Sequence, residues 1–326
     1  MKKSTFLVIG GAGYIGSHLV KALIEQQQQV VIVDNLSAGS ASAVLGGELI
    51  IHDFDDREFL DSLFSKTKFD GVFHFASQIV VSESVKDPGK YYRANTAATL
   101  TLLEAMRDHK VGPLVFSSTA AVYGEPLYTP IDEQHPTNPL NPYGRSKLMV
   151  EHMLADFASA YGQKYIALRY FNAAGADPQA RIGEKHDPET HLIPLALQAI
   201  SGKRPPLQLF GQDYDTPDGT CIRDYIHVDD LASAHILAIN HLNNGGESGV
   251  FNLGSNHGYS VNEVIQTAAQ VTGKAVPLTY APRRPGDPAS LVADASLAKK
   301  VLGWQPKYTD LNQIIQHAWA WEQANS

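Results

Sequence analysis

Residues 6–25 read as strand, glycine turn and helix: an apolar run Phe6–Ile9, the turn Gly10-Gly11-Ala12-Gly13, and a helical pattern from Tyr14 to Glu25 that contains Gly16. That order suits a dinucleotide pyrophosphate. Gly10 admits a tight turn, Gly13 lets backbone come close to phosphate, and Gly16 lets the helix press against the strand. The helix N-terminus, at Tyr14 and Ile15, then turns unpaired N–H groups toward the anion. A second apolar run, Val30–Val33, ends in Asp34. An acid at that position can hold both hydroxyls of an adenosine ribose and repels a 2′-phosphate, which favours NAD over NADP.

The alternation continues. Further apolar runs fall at Leu49–Ile51, Gly71–Phe75, Pro113–Ser117 and Tyr165–Arg169, with helical stretches such as Asp56–Ser65 and Tyr91–Arg107 between them. This predicts an α/β fold, a doubly wound parallel sheet of Rossmann type with helices on both faces. Beyond Asn172, proline, glycine and charge dominate at 175–188 and 202–223. A strand-like Tyr225–Val228, a helix from Asp229, a strand Val250–Leu253 and a helix–strand–helix pattern from Ser260 to Trp321 follow. The second half therefore reads as a smaller α/β substrate domain whose chain crosses back into the first. The expected division is 1–174 plus about 225–256 for the dinucleotide domain, and about 175–224 plus 257–326 for the substrate domain.

Charge narrows the function. A net charge of −8 with no Lys/Arg cluster argues against nucleic acid or an anionic membrane as partner. An anionic substrate then needs a few placed arginines. The single cysteine, Cys221, excludes an internal disulfide and a cysteine-rich metal site. No apolar run is long enough to span a bilayer, and glycines and His18 interrupt the stretch after Met1-Lys2-Lys3 that resembles a signal sequence. A cytoplasmic location is expected.

Tyr143-Gly144-Arg145-Ser146-Lys147 is the second chemical signal. Pro142 suits the first turn of a helix, which sets Tyr143 and Lys147 one turn apart on one face. A phenol is a poor base near neutrality, but a nearby ammonium and the positive nicotinamide ring favour its phenolate. The pair then forms a general acid/base for a sugar hydroxyl that loses hydride from its carbon. Upstream, Val115-Phe116-Ser117-Ser118-Thr119 ends a predicted strand where such sheets bind ligands. Thr119 is expected beside the reacting oxygen and Ser117 nearer the cofactor, with some of these hydroxyls only capping the strand's last peptides.

These motifs resemble the extended short-chain dehydrogenase/reductases, and most closely the UDP-glucose 4-epimerases among them. The resemblance spans nearly the whole chain. It includes Gly-Gly-Ala-Gly-Tyr-Ile-Gly-Ser-His, Asp34-Asn35-Leu36, His74-Phe75-Ala76, Asn95, Ser-Ser-Thr-Ala-Ala-Val-Tyr-Gly and Tyr143/Lys147. It continues through Tyr170-Phe171-Asn172, Arg223-Asp224-Tyr225-Ile226-His227-Val228 and Arg283-Arg284-Pro285-Gly286-Asp287. The resemblance implies interconversion of UDP-glucose and UDP-galactose. Tyr143 would take the 4-hydroxyl proton while C4 passes hydride to tightly held NAD, and the 4-keto sugar would turn over before hydride returns.

It also implies that Asn35, Leu36, Asp53, Phe54, Phe75, Ala76, Asn95 and Tyr170 serve the cofactor, with Asp53 and Phe54 flanking adenine. Asn172, the backbone of Leu192, Arg223 and Arg284 would hold the diphosphate, and Asp287 a ribose hydroxyl. A homodimer is implied as well. Related 4,6-dehydratases carry acids just after the threonine, whereas Ala120 and Ala121 stand there, which disfavours elimination. A dehydratase or decarboxylase, or a nonenzymatic NAD-binding regulator, are the rival readings; intact Tyr143, Lys147 and Thr119 oppose the last.

The chain departs from the family pattern in three places. Ile79 replaces a lysine that contacts the cofactor in some relatives, and His191 stands where several have asparagine. Leu291 falls at the position that limits the sugar pocket. Its intermediate bulk predicts some activity on UDP-N-acetylated sugars. Other polar residues read as structural: Cys221 as a small filler, His74 as a packing histidine, His227 as a helix cap, and Asp55 or Asp56 as an N-cap. Asp53, Asp55 and Asp56 lack a histidine at ligand spacing, and no metal is expected. Trp304, Trp319 and Trp321 read as core or interface aromatics.

Overall fold

A computed structural model describes residues 3–284 and 287–325. Met1, Lys2, Pro285 and Gly286, which belong to segments singled out above, lie outside the described residues. The first half runs β1 (Thr5–Ile9), α1 (Tyr14–Glu25), β2 (Gln29–Asp34), β3 (Glu48–Ile51), α2 (Arg57–Lys66), β4 (Gly71–His74), α3 (Val81–Lys86) and α4 (Pro88–Tyr91). A π-helical turn at Tyr92–Ala97 leads into α5 (Ala98–Asp108), then β5 (Leu114–Thr119), α6 (Pro142–Tyr161) and β6 (Tyr165–Tyr170).

The second half adds β7 (Asn172–Ala174), α7 (Leu192–Ile200), β8 (Leu207–Phe210), β9 (Ile222–Arg223), β10 (Tyr225–His227), α8 (Val228–Asn243) and β11 (Gly249–Leu253). It closes with β12 (Tyr259–Ser260), α9 (Val261–Thr272), β13 (Leu278–Ala281), β14 (Ser290–Leu291), α10 (Ser296–Leu302) and α11 (Leu311–Ala324).

Seven parallel strands form the main sheet in the order β11-β6-β5-β4-β1-β2-β3. The period of two in a strand divides the side chains between layers. Phe6, Val8, Val30, Ile32 and Phe73 face the α1 and α8 side with Leu19, Leu23, Leu231 and Ile239. Leu7, Ile9, Val31, Val33 and Val72 face α2, α5 and α6 with Leu60, Leu102, Val150 and Leu154. Burial on both faces is why these strands read as unbroken apolar runs. The chain winds one way from β1 through β2 to β3 and the other way from β4 through β5 to β6. The order therefore reverses between β1 and β4, and the crevice at their carboxyl ends is where such sheets take ligands.

The expected strand at Tyr225–Val228 exists as β10, but it pairs with β7 apart from the main sheet, and Val228 already opens α8. β12, β9 and β14 form a three-stranded sheet, and β13 pairs with β8. The expected helix–strand–helix after Ser260 contains a further short helix, α10. Around α7, α9 and α11 a separate apolar cluster gathers Ile193, Leu197, Leu209, Val264, Ile314 and Ile315. Among the described residues, no helix is long and apolar enough to cross a membrane.

Candidate active site

The glycine turn sits at the reversal of strand order. Gly10 adopts φ +78°, and a β-carbon there would strike the Ala76 backbone at the end of β4. One at Gly16 would collide with the Gly10 carbonyl. Gly13 differs, because a β-carbon would meet only the Gly10 oxygen at an ordinary 3.4 Å. No protein neighbour demands glycine at 13, so the space above it is room for a ligand. Gly13 caps α1 without a side-chain bond, and the first turn holds no acid. The N–H groups of that turn, including those of Tyr14 and Ile15, stay available to an anion.

Asp34 ends β2, with its two oxygens accepting from Ala12 N at 2.9 Å and Leu36 N at 2.8 Å. Leu36 itself takes the left-handed conformation at φ 59°. Each carboxylate oxygen retains a lone pair for a ribose hydroxyl. Asn35 donates to Asp53 at 2.5 Å, tying the loops after β2 and β3. The donor set, the bare turn and the acid fit an NAD-type dinucleotide.

The residues expected to act as acid and base are set by α6. Asn141 caps it, accepting from Gly144 N at 2.9 Å, and Pro142 opens it. One turn on, Lys147 is 2% exposed, with Nζ donating to the Ser117 carbonyl at 2.9 Å above the Phe116 ring. Burial pulls its ammonium down to about 7, against the opposing pull of Glu151. The Thr119 side chain lowers the Tyr143 phenol, yet burial is the larger effect and pushes it above its usual value. The amine spends its bond on the Ser117 carbonyl, and Thr119 is the neighbour that favours the phenolate. Thr119 Oγ1 also accepts from Ala121 N at 3.1 Å. Ser117 and Tyr170 share a hydroxyl–hydroxyl bond, while Ser118 donates to Glu151 at 2.5 Å.

A cleft of about 1420 Å³ joins these parts. Gly10, Gly13, Tyr14, Ile15, Gly16, Asp34, Asn35, Asp53, Phe54, Phe75 and Ala76 line one end, and Ser117, Thr119, Tyr143, Tyr170, Asn172 and Leu291 the other. Ala120 and Ala121 line it too, so the positions after Thr119 offer no acid. Ile79 and His191 also face it.

Several expected residues stand back from the wall. Asn95 is buried, accepting from Gln78 N at 2.8 Å and donating to Gln78 O and Ser146 Oγ, both at 3.0 Å. It therefore fixes the turn after β4, and no free donor remains for a cofactor. Leu36 and Lys147 lie behind the lining. Arg223 and Asp287 hold one another as an ion pair, and Arg284 stacks on Phe210 at 3.9 Å. Leu192 opens α7 and packs with the apolar cluster of the second half. Asn172 does line the cleft, and its amide donates to the Asp224 carbonyl at 3.0 Å.

The structural assignments hold for His74, buried and bonded to Thr99 at 2.8 Å, and for Asp56, which caps α2. They hold equally for His227, which accepts from Asp229 N at 3.1 Å, for buried Cys221 and for Trp304. Two groupings on the catalytic side of the cleft or at its lip were not foreseen. Glu151 pairs with Arg169 between α6 and β6, a contact no local pattern announces. Glu184, His186, Glu189 and His191 converge on the cleft's lip, and their Glu-x-His-x-x-Glu-x-His spacing was the available signal.

Residues 6–254 match the NAD dependent epimerase/dehydratase family, and the chain belongs to it. Over 97% of its length it is 54% identical to the UDP-glucose 4-epimerase of Halalkalibacterium halodurans, covering 94% of that protein. Its structure matches that of UDP-glucose 4-epimerase from Brucella ovis in complex with NAD, at TM-score 0.95 and 50% identity over 97% of both chains. It also matches the UDP-Glc/GlcNAc 4-epimerase of Campylobacter jejuni, at TM-score 0.87 and 44% identity over 98% of this chain and 99% of that one.

Proposed function

We infer that this chain is an NAD-dependent UDP-glucose 4-epimerase that interconverts UDP-glucose and UDP-galactose. The single observation that carries this reading is the joining of a bare, anion-ready glycine turn to the Tyr143–Thr119 pair across one cleft. Gly10, Gly13, Gly16 and the first turn of α1 would take the pyrophosphate, Asp34 the adenosine ribose, and Asp53 and Phe54 the adenine end. Held there, NAD would supply the acceptor and then the donor for the hydride on C4 of the sugar.

The chain's own residues do the rest. Tyr143 takes the proton of the 4-hydroxyl, helped by the Thr119 hydroxyl, and gives it back after the sugar presents its other face. Lys147 holds the Ser117 carbonyl, which fixes the strand end against α6. The cleft's volume leaves room for the keto sugar to turn about its link to the diphosphate. Asn172, Arg223 and Arg284 are the diphosphate ligands we propose, and Asp287 the ribose ligand; the Arg223–Asp287 pair would open to admit the nucleotide. Ala120 and Ala121 cannot protonate a 6-hydroxyl or take a proton from C5, which supports epimerisation over dehydration.

Incubating the protein with UDP-galactose, without added NAD, tests the reading. UDP-glucose is the expected product. A 4-keto-6-deoxy sugar would assign a dehydratase, and an unchanged substrate in the presence of NAD would leave only a binding protein.

Leu291 lines the sugar end and packs near Phe171 and Val122. Its moderate bulk supports activity on UDP-N-acetylglucosamine too, which Leu291→Tyr is expected to abolish while UDP-galactose turnover persists. No conversion of that substrate at high wild-type concentration would contradict this. The dinucleotide domain at 1–174 plus about 225–256, and the substrate domain at about 175–224 plus 257–326, remain the division we propose. For assembly we propose a homodimer through α5 and α6, where Leu100 and Met149 are exposed apolar side chains. Light scattering at the mass of a single chain would refute it.

A further inference from the structure

The segment between β7 and α7 carries four side chains that the reaction above does not use. Glu184, His186, Glu189 and His191 each offer one ligand atom, and the four atoms all lie within 4.8 Å of one another. The carboxylates are buried, with 5% of the Glu184 side chain and 1% of Glu189 exposed, while His186 and His191 keep 18% and 42% open. His191 Nδ1 is 2.7 Å from Glu184 Oε1 and 2.9 Å from Glu189 Oε1. His186 Nδ1 is 3.2 Å from Glu184 Oε1 and 3.7 Å from Glu189 Oε2.

Hydrogen bonds account for only part of this convergence. Glu189 Oε1 accepts from Thr190 N, His191 N and the His191 ring. Glu184 Oε1, Glu189 Oε2 and His186 Nδ1 are buried and make no hydrogen bond, their nearest polar neighbours being the ion-pair contacts just given. Buried polar atoms left in that state are costly unless something else satisfies them. Around a tetrahedral zinc with bonds of about 2.0–2.2 Å, neighbouring ligand atoms sit about 3.4 Å apart. The histidine–carboxylate separations of 2.7–3.7 Å straddle that value, and all four ligand atoms fall within 4.8 Å.

We propose that Glu184, His186, Glu189 and His191 bind one divalent first-row transition ion of the zinc class. Two imidazoles select against Mg²⁺ and Ca²⁺, and the lack of thiolate selects against Cu(I). The surroundings brace the ligands. The Glu184 carbonyl accepts from Trp321 Nε1 of α11 at 3.0 Å, and Glu189 is held by the backbone bonds just described. The His186 ring stands edge-on to Tyr14 across the cleft, 6.2 Å between centroids. The ion would pin the wall that faces the glycine turn. It has no part in the proton or hydride steps, so the assignment stands or falls apart from the proposed activity.

The test uses untagged full-length protein, stripped with a chelator and titrated with Co²⁺, Zn²⁺ and Mg²⁺. Co²⁺ is expected to bind at one per chain with the visible absorption of a four-coordinate site, displaced by Zn²⁺ but not by excess Mg²⁺. Glu184→Gln and His186→Ala are each expected to weaken Co²⁺ binding at least about tenfold, since even outer partners of a metal site are worth 10–100-fold. Circular dichroism checks that each variant is folded; should either unfold, Zn²⁺ competition in the wild type still decides. Absence of saturable binding near one ion per chain, or unchanged affinity in both folded variants, would overturn the proposal and leave the four groups as imidazolium–carboxylate pairs.

Discussion

Tyr143 can act as a base only if something offsets its burial, which by itself raises the phenol. Within the chain that help comes from Thr119; the positive ring of bound NAD would add to it. Tyr143→Phe is expected to keep cofactor affinity and lose roughly 10²–10⁴-fold in turnover, the usual worth of a general base. Rapid-quench assays on the dinucleotide-loaded variant check this, and wild-type turnover would refute it. Gly16 is the other decisive position. Gly16→Ala would drive a methyl into the Gly10 carbonyl, which backbone cannot yield cheaply. A loss of about 1–3 kcal/mol in urea unfolding is expected, with weakened dinucleotide binding.

Two ion-pair groups join the secondary-structure elements. Arg169 on β6 and Glu151 on α6 are both buried and share several hydrogen bonds. Glu151→Gln leaves a buried guanidinium without its counter-charge and is expected to cost about 3–5 kcal/mol, read from urea midpoints. At the other layer, Lys21 of α1 reaches Asp229 of α8 at 2.9 Å and Asp177 at 2.8 Å, and His18 lies 2.6 Å from Asp229. Burial opposes the Asp229 charge, but bonds from His18 and Lys21 outweigh it and hold the carboxyl down at about 2. Because the folded value lies below the unfolded one, this stability is present above about pH 4 and is lost as pH falls toward 2. The contribution is about 2 kcal/mol. Asp229→Asn should flatten the stability loss between pH 4 and 2, and an unchanged slope would show the pair to be inert.

What could be read from the chain, and what could not, divides along the same line. The strand–turn–helix at residues 6–25 and the Asp34 strand end are local patterns, and each lies where the periodicity placed it. So does the Tyr143/Lys147 turn, because Pro142 announces its start. Lys21–Asp229 and Glu151–Arg169 depend on packing between elements far apart in sequence, which no short window encodes. The pairing of β10 with β7 was hidden for the same reason.

For the molecule as a whole, the reversal of strand order between β1 and β4 sets the dinucleotide end of the cleft beside the end of β5, where Thr119 meets Tyr143. One cleft with those two ends favours an oxidation that is undone before the sugar leaves. The fate of the hydrogen on C4 decides the matter. UDP-galactose carrying deuterium at C4 should yield, in ordinary water and without added NAD, UDP-glucose that still carries it at C4. Loss of the deuterium to solvent would mean that C4 is inverted by proton exchange, and that neither the glycine turn nor Tyr143 does what is proposed here.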